Sequence, residues 1–287
     1  MYLNKVILSL LSVILLCNCA GDNSLHSQQS SKSEIGIVNS KGDRIITRFN
    51  APEGYKRVTT NDGSFARYLQ NIKLKPEGAA VLYYNGGRKS NNNVYKAVVD
   101  MPIGKRDLHQ CADAIMRLRA EYLWQDKRYN DIHFNFTNGF RVDYSKWMNG
   151  KRIVVKGNRS YWIDKTGVDS SYKTFWRYME TIFMYAGTLS LSKELKPVDV
   201  KDMQIGDIFI QGGSPGHAVI VVDMAINQET GDKLFMLAQS YMPAQEIQIL
   251  TNRHNKSLSP WYKLDFGNTL YTPEWTFNRT DLKRFTE

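Results

Sequence analysis

Long hydrophobic runs, paired cysteines and metal-ligand spacings are all missing from the body of this 287-residue chain. After residue 18 no segment approaches the roughly 18 apolar residues that a membrane-spanning helix needs, so the body is expected to be soluble. Of three cysteines, Cys17 and Cys19 lie near the start, and Cys111 is left in the body without a disulfide partner. His109 and His133 have no neighbours at ligand spacing, so no metal and no other cofactor is expected. There is no internal repeat, no linker-like stretch and no aromatic-basic RNA motif. The charge is nevertheless one-sided, with 38 Lys and Arg against 28 Asp and Glu, a net of +10. That excess fits an anionic surface or nothing specific, and no nucleic-acid partner is expected.

What is present begins at the N-terminus, MYLNKVILSLLSVILLCNCAGDNS. Lys5 precedes an uncharged, mostly apolar run over residues 6–16, the length of a signal h-region and too short to cross a bilayer. Leu16-Cys17-Asn18-Cys19 resembles a lipobox, with Leu16 three residues ahead of Cys19. That resemblance implies a signal peptide over residues 1–18, lipidation at Cys19 and lipid anchorage in the cell envelope, at the outer membrane and facing either the periplasm or the surface. The Ser- and Gln-rich stretch that follows is too polar to bury a core, and a flexible tether is expected over residues 19–45. Residues 46–287 remain as a single domain, long enough for a substantial core.

Within the body, residues 64–72 (SFARYLQNI) read as a short helix. Residues 79–84 and 94–101 read as strands joined in a hairpin across Asn85-Gly86-Gly87. Residues 107–125 carry Leu108, Cys111, Ala112, Ile115, Leu118 and Tyr122 at helical spacing, with Asp107 as the natural N-cap. Residues 126–170 look like loops and short strands. Residues 171–186 form a second helix, ended by Gly187. The segment from residue 207 to 239 reads as a three-stranded antiparallel meander: a strand, the turn at residues 212–216, a strand from His217 to Met224 buried on both faces, a turn at 229–232, and a returning strand. The fold class is α+β, an antiparallel sheet with packed helices.

If the last two strands pair about residue 229 or 230, His217 faces residues 239–242, where Gln239 and Ser240 are the polar residues. Polar groups at the ends of buried strands need partners or a role. Cys111 lies either in the first turns of its helix or at the terminus itself, where unpaired backbone donors favour thiolate. Gly212-Gly213-Ser214-Pro215-Gly216 fits G-x-S-x-G, but strand-turn-strand is not the elbow a serine nucleophile needs.

Gln110-Cys111, Gly206-Asp207-Ile208-Phe209, Gly216-His217-Ala218-Val219-Ile220-Val221 and Gln239 follow one another in an order that resembles the papain-like amidases and peptidases of the CHAP and NlpC type. The likeness covers about residues 105–245, with residues 126–200 as an insertion. It implies a papain-like, NlpC-like core with Cys111 as nucleophile, His217 as general base and acid, and Gln239 as the residue that orients the imidazole. The whole body further resembles a family of Bacteroidetes lipoproteins with no assigned activity, through QCADAIMRLRAEYL, HFNFTNGF, GHAVIVVDMA and LAQSYMPAQE.

The expected function is a cysteine-dependent amidase or peptidase acting on cell-wall peptide or a similar amide, with Gln110, Gly216, Ser240, Trp147 and Trp162 at the substrate. The competing expectation is a non-catalytic binding or scaffold lipoprotein on the same fold. Glycan binding would use Trp147 and Trp162, the two tryptophans in loop-like sequence.

Overall fold

The structure is a computed structural model that describes residues 36–286. The expected signal peptide, the expected lipid site at Cys19 and most of the expected tether lie outside the described residues. The last part of the expected tether does not: Asn50 donates from its backbone to Ile37 O, Arg44 Nη1 donates to Asn71 O, and Val38 bridges Phe49. Residues 36–45 therefore belong to the body. Among the described residues no helix is long and apolar enough to cross a membrane.

The body is mixed α+β, built on a nine-stranded antiparallel sheet. Its centre is the meander Ile208–Gln211, His217–Asn227 and Lys233–Gln239. The long middle strand alternates strictly over its first half. Ala218, Ile220 and Val222 face one core and Val219 and Val221 face another. The first core is covered by the helices, chiefly Cys111–Gln125 and Tyr172–Tyr185. The second is covered by the C-terminal chain through Tyr262, Leu270, Phe277 and Leu282. A register shift between Met236 and Leu237 breaks the pairing midway.

Ser64 and Ser171 cap their helices, each accepting a backbone N–H three residues on, from Arg67 and Thr174. Buried ion pairs fasten the sheet. Asp223, on the central strand, takes Arg57 Nε at 2.7 Å and Gln70 Nε2 at 2.7 Å. Asp207 takes Arg284 Nε at 2.6 Å, so the Gly206-Asp207 pair holds the last strand.

Several expectations fail here. Residues 79–84 form no strand, and no hairpin joins them to Tyr95–Val98. That strand pairs with Gln248–Leu250 instead, while Tyr83 bridges Gln245. Gly187 does not only end a helix. It also starts another, Thr188–Glu194. The 126–170 region holds the expected short strands, paired as two hairpins, and departs from expectation in the helix Tyr144–Met148.

Candidate active site

Asp107 does not cap the helix. Its Oδ1 accepts the Ala244 N–H at 2.7 Å and Gln110 Nε2 at 3.2 Å, which ties it to a neighbouring loop. The helix starts four residues later, with Gln110 as N-cap and Cys111 as its first residue. Asp113 accepts the Gln110 N–H through Oδ2 at 3.0 Å and so completes the start of the helix. The Cys111 side chain thus stands among unspent backbone donors. The N–H groups of Ala112, Ala218 and Cys111 itself all favour the thiolate. Burial outweighs them, with the Asp113 carboxylate next, and the thiol is pushed up to about 11. The residue is only 6% exposed.

His217 opens the central strand, 2% exposed. Its Nε2 lies 2.9 Å from Gln239 Oε1. The Gln239 amide is oriented by its other end, because Nε2 donates to Glu274 Oε2 at 2.6 Å and only an N–H can do so. The oxygen therefore faces the ring, the proton sits on His217 Nε2, and Nδ1 is the basic nitrogen. Glu274 is held in turn by Lys89 Nζ at 2.7 Å, and Lys89 also donates to Gln245 Oε1 at 2.8 Å. Tyr241, Trp275 and Phe277 wall the ring, with centroids 4.8, 5.4 and 6.0 Å away. Burial lowers the imidazole to about 4, against the Gln239 hydrogen bond and with help from Lys89. It is neutral at physiological pH, with Nδ1 free of a proton, and burial makes it a weaker base than a solvated imidazole.

The N–H of Ala218, which acts on the Cys111 thiol in the direction of the thiolate, belongs to the residue after His217. Helix start and strand start meet there. Thiol and ring are not hydrogen-bonded to each other among the described contacts. A groove of about 440 Å³ passes over the thiol, lined among others by Gln110, Asp113, Gly216, Thr188 and Met242. Its far wall is the Gly-rich turn. Thr188 Oγ1 donates to Gly213 O at 3.2 Å and clamps that turn to the helix Thr188–Glu194, which precedes it in the chain. A Cβ at Gly216 would lie 2.6 Å from both Gly213 O and Thr188 Oγ1, so only glycine fits.

Gln110 and Gly216 thus line the groove, and Gln239 holds His217 from behind. Ser240 does not face the groove. It is fully buried, with Oγ 2.7 Å from Gln245 O and 3.0 Å from His109 O, and it supports the loop ahead of Cys111. Trp147 is a core residue, its Nε1 donating to Thr174 O. Trp162 packs on Phe140 in a hairpin. Neither lines the groove. Trp147 and Trp162 were misplaced because their polar neighbours are the outward residues of short hairpins and of one helix, which hide the inward positions. Asp113, Glu274 and Lys89 escaped the sequence reading. Asp113 carries a visible signal, an acid at the third position of a helix. Glu274 and Lys89 carry none, because chain separations of 35 and 156 residues join them to Gln239 and Gln245. Among the described residues no cluster of three or more His, Cys, Asp or Glu could hold a metal.

Residues 45–284 match a protein family described as "Domain of unknown function (4846)". No curated protein and no solved structure matches the chain.

Proposed function

We propose, for a chain that belongs to the family described as a domain of unknown function (4846), a thiol hydrolase of papain-like type that cuts amide bonds. The observation that carries this reading is the place of Cys111 at a helix start, where its thiol is acted on by the N–H of Ala218, the residue after a His217 whose proton is fixed on Nε2 by Gln239. In this reading His217 Nδ1 takes the thiol proton as the sulfur bonds to the amide carbon. The Cys111 N–H faces the oxyanion, and the Gln110 side chain lies beside it. The proton on Nδ1 then passes to the leaving nitrogen, the C–N bond breaks, and a thioester remains. Water gives a proton to Nδ1 and attacks the thioester, the C–S bond breaks, and the proton returns to sulfur. Gln239 and Glu274 keep the ring in the tautomer that allows this. With an anchor at Cys19, the accessible amides are those of the cell envelope, cell-wall peptide stems first among them.

One observation favours the second reading, a non-catalytic scaffold. Burial and Asp113 raise the Cys111 thiol to about 11 rather than lowering it. The two readings separate on one assay. Purified chain is incubated with peptide stems released from cell wall, and new termini are read by mass spectrometry. The hydrolase reading requires cleavage that falls at least roughly a thousandfold in Cys111→Ala. Cleavage that survives in Cys111→Ala overturns it.

A further inference from the structure

The ionisable side chains that line the groove beside the thiol are acidic, although the chain as a whole is basic. The protein carries a net +10, yet Asp107 and Asp113 both line the groove, and among the described residues no Lys, Arg or His does. Asp113 is the more informative of the two. It is 6% exposed, two residues beyond Cys111, and only one of its oxygens is used by the fold. Oδ1 is buried and has no hydrogen-bond partner. A buried carboxyl oxygen without a partner costs stability, and its retention at a groove wall calls for a ligand donor. The nearest cation on the same helix is unavailable. Arg117 is held by Glu121 Oε1 at 3.3 Å, by Pro102 O at 2.5 Å and over the Trp176 ring. Asp107 stands exposed at the groove, with its Oδ1 fixed by Ala244 and Gln110.

We infer that the groove selects a ligand bearing a primary ammonium, which Asp113 receives by turning its unpartnered Oδ1 from the buried wall into the groove, with Asp107 adding attraction from the groove wall. On the hydrolase reading, on which this substrate assignment rests, the substrate is an amide with a free amino group close to the scissile bond. The arrangement also bears on the thiol. Burial holds the Asp113 carboxyl well above the usual range, and Asp113 contributes to the raised thiol. A bound ammonium offsets both effects, so the correct substrate itself favours the thiolate.

The test uses the thiol as a reporter and needs no substrate. The full chain is treated with three methanethiosulfonates, each of which leaves a mixed disulfide and releases methanesulfinate: aminoethyl (cationic), methyl (neutral) and sulfonatoethyl (anionic). Labelling of the Cys111 peptide is followed by mass spectrometry and divided by the rate in urea-unfolded chain, which removes intrinsic reactivity. The expected cation-to-anion preference is roughly tenfold or more, as for a cleft lined by one sign of charge. It should shrink as ionic strength rises. Asp113→Asn, which keeps an oxygen for the Gln110 N–H, and Asp107→Asn should each reduce it. A corrected ratio within twofold of unity overturns the inference. So does a ratio unchanged in the double variant, or a Cys111 that none of the three reagents reaches in the folded chain. A chain that shows the preference but cleaves no amide keeps the ammonium site and loses the hydrolase reading alone.

Discussion

The Cys111 thiol should be slow, and the rate can be worked out. Burial and Asp113 raise it to about 11. At pH 8 about one thiol in a thousand is then ionised, whereas a free cysteine of pKa about 8.5 is ionised to roughly a quarter. The thiolate deficit is about 240-fold. A more basic thiolate is a better nucleophile, and a Brønsted coefficient of about 0.4–0.5 over some 2.5 units returns roughly tenfold. The net expectation is alkylation by iodoacetamide about twentyfold slower than a free thiol at pH 8. Its logarithm should climb with unit slope from pH 7 to beyond pH 10, where a free thiol has levelled. Asp113→Asn removes the second-largest cause of the raised value and should speed the reaction. Peptide-resolved mass spectrometry after timed quenching reads the rate at Cys111 alone. A plateau below pH 9, or a rate at pH 7 above that of free cysteine, would refute the electrostatic reasoning.

Further outcomes follow from other groups. Gln239→Leu removes the acceptor of His217 Nε2–H and should lower amide hydrolysis by about ten- to a hundredfold, or about 1.4–2.7 kcal/mol, with a folded circular dichroism spectrum. Asp223→Ala strands Arg57 and Gln70 at the sheet centre and should cost about 3–5 kcal/mol, read as a lower urea midpoint. Burial raises Glu194 to about 7, above its unfolded value. Its contribution to stability is therefore present at low pH and lost as pH rises through about 7. Glu194→Gln keeps an acceptor for the Asn135 N–H and should flatten the fall in melting temperature between pH 5 and pH 8.

The meander was legible because its signals are local. Alternation from Ala218 to Val222 marks a strand with two covered faces, and the turn near residue 229 sets His217 opposite Tyr241 and close to Gln239. The helix after residue 107 was legible in extent and wrong in its start. Capping is a competition, and the Ala244 N–H, 137 residues away, won Asp107. Residues 79–84 have strand composition, but their partners are single bridges, and the strand expected beside them found Gln248–Leu250. Strand pairing over 150 residues leaves no mark in either segment. The site divides along the same line. Cys111, His217 and Gln239 sit on elements with strong local patterns. The Glu274 and Lys89 that hold them from behind come from loops, and Ser240 looked available only because its partners, His109 O and Gln245 O, are invisible in one dimension.

The central claim is a covalent acyl group on one sulfur. The chain is mixed with amine-bearing peptide stems, quenched in acid within seconds, and weighed intact and after digestion. The account predicts an added acyl mass on the Cys111 peptide, removed by hydroxylamine and absent from Cys111→Ala. Turnover of the amide with no such adduct, or with an adduct on Ser214 or elsewhere, would contradict it.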